Sequence, residues 1–331
     1  MLNGKSILVT GGTGSFGNKF IETVLRRYQP DRLIVFSRDE LKQYQMRERF
    51  ADSEHPSIRY FLGDVRDRER LYRAFDGVDV VVHAAALKQV PACEYNPIEA
   101  IKTNVLGAAN IIDAAIDRGV RKVIALSTDK AASPANLYGA TKLCSDKLFT
   151  AANSYAGAHN TRFAVVRYGN VMGSRGSVIP LFLKLRETGT LPITDPRMTR
   201  FWITLQQGVD FVLDSLERMH GSEVFVPKIP SMSILDVARA LAPECDTRIT
   251  GIRPGEKLHE VMVPEDDARN TIEYDRYYAI VPSYEQYVEQ WGAQDGRRCP
   301  EDFRYSSEIN TEWISVEQLQ EMLGLQQLAG V

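Results

Sequence analysis

Two side chains one helical turn apart carry the clearest chemistry in this chain. Tyr138 and Lys142, in Tyr138-Gly139-Ala140-Thr141-Lys142, stand at i and i+4, so on a helix they share one face. A lysine so placed lowers a phenol pKa electrostatically, and the tyrosinate can then take a proton from a substrate hydroxyl. Just upstream, Ser127-Thr128-Asp129-Lys130 closes a strand-like run, and Thr128 can hydrogen-bond that same hydroxyl. A Tyr–Lys pair at this spacing is common by chance on amphipathic helices. It gains weight from a glycine-rich loop earlier in the chain.

That loop is Thr10-Gly11-Gly12-Thr13-Gly14-Ser15-Phe16-Gly17, which follows a short apolar run and opens a helix-like stretch. Gly11, Gly14 and Gly17 allow a tight turn, and Thr13, Ser15 and Phe16 lie where a pyrophosphate would meet the backbone amides of a helix N-terminus. An NAD site puts an acidic residue roughly 20 residues further on, against the ribose hydroxyls. The corresponding stretch here reads Phe36-Ser37-Arg38-Asp39-Glu40-Leu41-Lys42. Ser37, Arg38 and Lys42 can hold a 2′-phosphate, so NADP is favoured over NAD, although Asp39 and Glu40 weigh against it. Asp64 and Val65, after the third strand, can meet an adenine amino group, with Asp64 also suited to cap the next helix. Ala84 and Ala85 end the fourth strand with side chains small enough for close approach of a ribose or nicotinamide. Lys88, just beyond, can reach cofactor or substrate, whereas His83 reads as a structural strand-end residue.

The elements that must position these groups alternate. Strands are expected at Ser6–Thr10, Arg32–Phe36, Ile58–Leu62, Val78–His83, Lys122–Ser127 and Phe163–Arg167. They are apolar nearly throughout, as suits strands covered on both faces. Helices are expected between them at Phe16–Tyr28, Asp39–Phe50, Arg68–Phe75, Pro97–Arg118 and Tyr138–Ala156. This is an α/β pattern that predicts a Rossmann-like, doubly wound parallel sheet with right-handed crossovers. The second half is less regular: loops around Gly173–Gly176, Leu191–Arg197 and Ile252–Glu256, and helices at Leu205–Met219, Ile234–Leu241 and Val316–Leu323. Residues 1–170 thus read as an NADP-binding domain, to which a segment near 200–228 returns, and 171–331 mainly as a smaller substrate-binding lobe.

Composition narrows the function classes. Forty Lys and Arg against 43 Asp and Glu leave a net charge of −3, which supplies no global field for nucleic acid. No run approaches the roughly 18 apolar residues of a membrane span, and the first residues lack a signal-peptide pattern, so a cytoplasmic protein is expected. Cys93, Cys144, Cys245 and Cys299 lie far apart without a CxxC pair, which favours reduced thiols. The five histidines show no ligand spacing, so no metal site is expected.

Taken together, TGGTGSFG, FSRDELKQ, HAAALKQVPACEYNP, STDKAASPANLYGATK, RYGNVMGSRGSVIP, LPITDPRMTRFWI, RPGEKLHE and INTEWISVEQL resemble the extended short-chain dehydrogenase/reductases. More closely, they resemble the inverting UDP-N-acetylglucosamine 4,6-dehydratases of pseudaminic acid biosynthesis, over nearly the whole chain. Larger relatives in that family carry N-terminal membrane spans, and this chain looks like the short soluble form. The resemblance implies a cytoplasmic homo-oligomer that acts on UDP-N-acetylglucosamine with a tightly bound NADP regenerated in each cycle. It also implies that Tyr138, supported by Lys142, takes the 4-hydroxyl proton during C4 oxidation. Lys130 would then remove the acidified C5 proton while Asp129 protonates the departing 6-hydroxyl, provided its neighbours keep Lys130 neutral at that step. Hydride returns to C6, and C5 is reprotonated on the opposite face by Lys130 or Tyr138.

The same resemblance places Tyr168, Gly169 and Val171 beside the nicotinamide and Asn170 near the sugar or its diphosphate. It puts Val178 and Thr194 in uridine-contacting loops, and Arg253 and Glu256 at the diphosphate and ribose. Paired guanidinium donors suit Arg253 to phosphate oxygens. Two other readings stay open: a UDP-N-acetylhexosamine 4-epimerase, against which Asp129-Lys130 argues, and a non-catalytic NADP-binding sensor, against which the intact Tyr138 and Lys142 argue.

Overall fold

The computed structural model describes residues 1–174, 176–282 and 296–324. Arg175 of the expected Gly173–Gly176 loop and the last residues of the expected lobe fall outside them. The first half builds β1 (Ser6–Thr10), α1 (Ser15–Arg27), β2 (Arg32–Ser37), α2 (Glu40–Arg49), β3 (Ile58–Leu62), α3 (Arg68–Ala74) and β4 (Val80–His83). After α4 (Val90–Tyr95), α5 (Pro97–Ile101) and α6 (Gly107–Asp117) come β5 (Lys122–Thr128), α7 (Leu137–Ala152) and β6 (Arg162–Tyr168).

All five residues of β1 are buried, as are the four of β4. Each fully buried Val, Leu or Ile there contributes about 1.5–3 kcal/mol. The strands pair in parallel in the order β3-β2-β1-β4-β5-β6, with the half-exposed β3 at the edge. Chain direction across the sheet reverses between β1 and β4, and the crevice at their carboxyl ends is where a doubly wound fold takes its ligand.

The second half contributes β7 (Asn170–Val171), α8 (Val178–Leu185), β8 (Thr190–Ile193), β9 (Thr199–Ile203), α9 (Leu205–Arg218), β10 (Val224–Pro227) and β11 (Ser231–Ser233). Next come α10 (Ile234–Leu241), β12 (Asp246–Ile249), β13 (Val261–Val263), β14 (Thr271–Glu273), β15 (Tyr277–Ile280), β16 (Arg297–Arg298) and β17 (Tyr305–Ser306). A Thr204–Gln207 capping box starts α9, which packs on α1, and β10 adds to the main sheet beside β6. Three antiparallel strands, β15, β14 and β16, extend that edge. Smaller sheets, β11-β9-β7, β12-β8 and β13-β17, accompany a second apolar cluster around Phe182, Leu191, Ile193, Trp202, Met232, Leu241 and Ile314.

Three local expectations change. The stretch Pro97–Arg118 is interrupted at Lys102–Leu106 by a π-helical turn, and a separate helix, α4, precedes it. The expected loop Leu191–Arg197 begins inside β8, where buried Leu191 and Ile193 flank Pro192. Pro192 is tolerated because β8 has only β12 as a partner and so leaves one edge free of ladder bonds. Asp67 rather than Asp64 caps α3, accepting from the Arg70 amide at 2.9 Å.

Candidate active site

The glycine loop sits at the carboxyl end of β1, directly against the end of β4. Gly11 has φ +65°, and a Cβ there would lie 2.8 Å from the Ala85 nitrogen and 2.9 Å from the Ala84 carbonyl. Only glycine gives both that backbone and that approach. Gly14 precedes α1 without a side-chain cap, and no acidic residue stands in the first helical turn, so the amides at Ser15–Gly17 suit an anion. Thr13 Oγ1 is 2.9 Å from Ser37 Oγ, which ties the loop to the end of β2. These features fit a dinucleotide.

The cations expected at the 2′-phosphate are paired with carboxylates: Arg38 with Asp64 at 3.5 Å and Lys42 with Asp39 at 2.5 Å. Asp64 also takes two guanidinium bonds from Arg66, at 3.1 and 2.7 Å. Burial opposes its ionisation, but those bonds hold its pKa below the usual carboxylate range. His83 is buried with Nδ1 2.8 Å from Thr10 Oγ1, and burial lowers its pKa to about 3, so it is neutral. Asn104, on the π-turn, bonds the Leu87 amide at 2.8 Å, the Leu87 carbonyl at 2.9 Å and Thr141 Oγ1 at 3.0 Å. The stretch holding Ala84, Ala85 and the exposed Lys88 is thereby fastened to α7.

Next to this crevice, β5 runs into a 3₁₀ turn, Asp129–Ala131, and α7 begins at Leu137 with Asn136 as its cap. Gly139 lets the two meet, since a Cβ there would lie 2.1 Å from the Lys130 carbonyl oxygen. Tyr138 is consequently packed against Thr128, Asp129 and Lys130. Burial pushes its phenol up to about 12, while the charge on Lys130 and a hydrogen bond with Thr128 pull the other way. The cation acting most strongly on Tyr138 is thus Lys130, not Lys142 as the helix spacing alone suggested. Lys142 is buried, and burial lowers its pKa against the opposing field of Asp146. Asp146, one further turn along the same face, accepts from Ser127 Oγ at 2.7 Å and from Arg167 at 3.4 Å.

Lys130 is the centre of the charge. Its Nζ lies 3.0 Å from Asp129 Oδ1 and 3.1 Å from Glu260 Oε1. Burial alone would lower its pKa; the two carboxylates outweigh that and raise it. In the structure the two carboxylates therefore favour the charged form of Lys130. Asp129 Oδ1 also accepts from Thr128 Oγ1 at 3.0 Å, whereas its Oδ2 is buried without a hydrogen-bond partner.

Asn170 and Val171 pair with Trp202 and Ile203 of β9, Tyr168 ends β6 with its phenol pKa raised by burial, and Val178 opens α8. Thr194 donates to Met198 Sδ at 3.0 Å. Arg253 turns its guanidinium onto Glu256 in an exposed ion pair, so its donors face a carboxylate rather than open space. The same turn is docked on the start of α7, because Asn136 Nδ2 donates to the Gly255 carbonyl at 2.8 Å. Among the described residues no cluster of His, Cys, Asp and Glu could hold a metal ion.

Sequence reasoning passed over Glu260, Arg200 and Asp146. Arg200 is buried and donates to the carbonyls of Thr199, Leu258 and Lys257 at 2.7–2.9 Å. Asp146 had a local signal, its i+4 spacing from Lys142. Glu260 had none.

Residues 7–282 match the family model described as polysaccharide biosynthesis protein. The inverting UDP-N-acetylglucosamine 4,6-dehydratase of Campylobacter jejuni subsp. jejuni is 55% identical over 98% of both chains. This chain belongs to that family. The X-ray structure of Pen from Bacillus thuringiensis superposes with TM-score 0.88 at 36% identity, covering 98% of this chain and 99% of that one. DesIV from Streptomyces venezuelae, a dTDP-glucose 4,6-dehydratase solved with NAD and TYD bound, aligns with TM-score 0.67 at 25% identity, over 76% and 86% of the two chains.

Proposed function

We propose that this protein is an inverting UDP-N-acetylglucosamine 4,6-dehydratase with NADP as its resident cofactor, catalysing the first step of pseudaminic acid biosynthesis. The product is UDP-2-acetamido-2,6-dideoxy-β-L-arabino-hexos-4-ulose. The observation that carries this reading is the packing of Thr128, Asp129 and Lys130 around Tyr138, which puts an acid/base pair for elimination beside the base for oxidation. When bound, the dinucleotide takes hydride from C4 and later returns it to C6.

The amides of Gly14–Gly17 and the Ser37–Arg38 end of β2 hold the cofactor, with Ala84 and Ala85 forming its close wall. Tyr138, with Thr128 as hydrogen-bond partner, removes the 4-hydroxyl proton, and Lys142 steadies the developing phenolate. Lys130 takes the C5 proton, Asp129 gives a proton to the departing 6-hydroxyl, and one water leaves. Reprotonation of C5 from the opposite face, by Lys130 or Tyr138, gives inversion. Asn170, Val178 and Thr194 line the nucleotide-sugar side, and Arg253 reaches the diphosphate once it exchanges Glu256 for phosphate oxygens.

Residues 1–170, with the returning segment near 200–228, form the cofactor domain in this reading, and most of 171–331 forms the sugar-nucleotide lobe. The second apolar cluster supports that division. Exposed Tyr95, Ile98, Ile101 and Leu106 support a homo-oligomer, and four free cysteines accord with a cytoplasmic setting.

The test is incubation with UDP-N-acetylglucosamine in D₂O, followed by mass spectrometry and NMR. The expected product is lighter by one water, deuterated at C5 and of L-arabino configuration. Retained D-xylo configuration removes inversion, and an unchanged mass with a 4-epimer moves the protein to the epimerases.

A further inference from the structure

Glu260 precedes β13, far from the catalytic turn in sequence, yet its carboxylate lies 3.1 Å from Lys130 Nζ. It is only 2% exposed. Its backbone is held on both sides, with its amide donating to Ser307 Oγ at 3.0 Å and its carbonyl accepting from the Ser307 amide at 2.8 Å. Ser307 Oγ is in turn 2.7 Å from Thr199 Oγ1. Lys257, in the same segment, donates to the Ala132 carbonyl at 2.7 Å, so the segment is bolted to the turn that carries Asp129 and Lys130. Arg200 Nε at 3.8 Å and Lys257 Nζ at 3.8 Å balance the carboxylate without bonding it tightly. Among the described residues its Oε2 accepts no hydrogen bond. A buried carboxylate fixed this firmly, with its one close contact on the ammonium of Lys130, is placed to act on that group.

We propose that Glu260 is a positioning residue for the elimination step, holding Lys130 Nζ in place and stabilising the positive charge that forms on it as it takes the C5 proton. This deepens the dehydratase reading above and rests on it. The proton count closes within the array. At rest Lys130 is an ammonium between two carboxylates. A proton passes from Nζ to Asp129 Oδ1 across 3.0 Å, leaving an amine and a carboxylic acid. The amine then takes the C5 proton, the C5–H electron pair becomes the C5=C6 bond, and the C6–O bond breaks. Asp129 delivers its proton to the departing hydroxyl, which leaves as water. Lys130 is again an ammonium and Asp129 a carboxylate, so elimination returns the array to its resting state. Glu260 keeps its charge throughout and favours the ammonium side of the transfer.

Two signals separate the steps for the holoenzyme given UDP-N-acetylglucosamine in D₂O: the near-ultraviolet absorbance of the reduced cofactor reports C4 oxidation, and mass loss with C5 deuteration reports elimination. Glu260→Gln should leave C4 oxidation near the parent rate, let reduced cofactor accumulate, and slow water loss on the order of 100-fold, the lower end of what a placed acid or base contributes. Glu260→Asp keeps the charge but withdraws it, and should show the same selective defect more weakly; it also serves if the Gln variant does not fold. Equal slowing of both signals in the folded variants, or none in either, overturns the role. A parent enzyme that forms no dehydrated product overturns the dehydratase reading itself, and this inference with it.

Discussion

Lys142 and Lys130 share a residue type but not an environment. Lys142 is buried and feels the field of Asp146, a carboxylate already engaged by Ser127 and Arg167. Burial wins there, and its pKa falls. Lys130 has two carboxylates within hydrogen-bond reach, and its pKa rises. His83 completes the series. No carboxylate acts on it, burial and the charge of Lys142 push the same way, and its pKa drops to about 3. Lys130 is also the least buried of the three, with a quarter of its side chain exposed, but it is the two anions fixed beside it that raise its pKa.

The largest effect should come from removing the charge-crowded member. Lys130→Met should cut dehydration by roughly 10²–10⁴-fold and slow C4 oxidation less, through loss of its charge beside the Tyr138 phenol, whereas Lys142→Met should suppress both alike. Single-turnover absorbance of the reduced cofactor together with mass spectrometry of the product reads the two apart. Equal losses in both variants would erase the contrast between the two lysines.

Asp146→Asn should turn Lys142 into a second His83, a buried base without an anion. It leaves Arg167 and Lys142 unpaired, so a stability loss of about 3 kcal/mol is expected in urea denaturation, at the lower end for a broken buried pair. A neutral result would mean that Asp146 exerts little field on Lys142.

His83 itself gives a pH signature. Its folded pKa of about 3 lies below the unfolded value near 6.5, so the unfolded chain binds the extra proton first as pH falls. Its contribution to stability is complete above pH ~6.5 and is lost on acidification through that window, about 2 kcal/mol by pH ~5. His83→Asn, which can still bond Thr10, should flatten the urea midpoint between neutral pH and pH ~5. A variant as acid-sensitive as the parent would remove His83 from the series.

The smallest effect belongs to the exposed pair of Lys42 and Asp39, where solvent screens the anion. Lys42→Ala should change stability by less than about 0.5 kcal/mol. Calorimetric titration with both dinucleotides should show a modest loss of affinity for NADP and little for NAD. Equal affinities for NADP before and after the change would leave Arg38 as the 2′-phosphate ligand.

The glycine loop, the Tyr138–Lys142 spacing and the parallel sheet were legible in the sequence because each is local. Gly11 through Gly17 adjoin one strand, Tyr138 and Lys142 sit one helical turn apart, and the parallel sheet announces itself in short apolar runs. The π-turn at Lys102–Leu106 was missed because nothing in the periodicity of Pro97–Arg118 marks a one-residue shift in hydrogen bonding. Asp129-Lys130 was visible, but the direction of the Lys130 pKa was not. That direction depends on Glu260, which reaches the turn only through pairing of β13 with β17 and the Ser307 bonds. Arg200 was unreadable for a like reason, since its partners are backbone carbonyls of a distant segment.

The bonds from Asn136 to Gly255 and from Lys257 to Ala132 bear on how such proteins can be recombined. They tie the segment that carries Arg253 and Glu256 to the turn that carries Asp129 and Lys130. A chimaera that takes its second half from a relative, in order to accept another nucleotide sugar, also replaces the partner of its own Lys130. Exchange of specificity in this architecture therefore requires the 129–139 turn and the 253–260 segment to travel together.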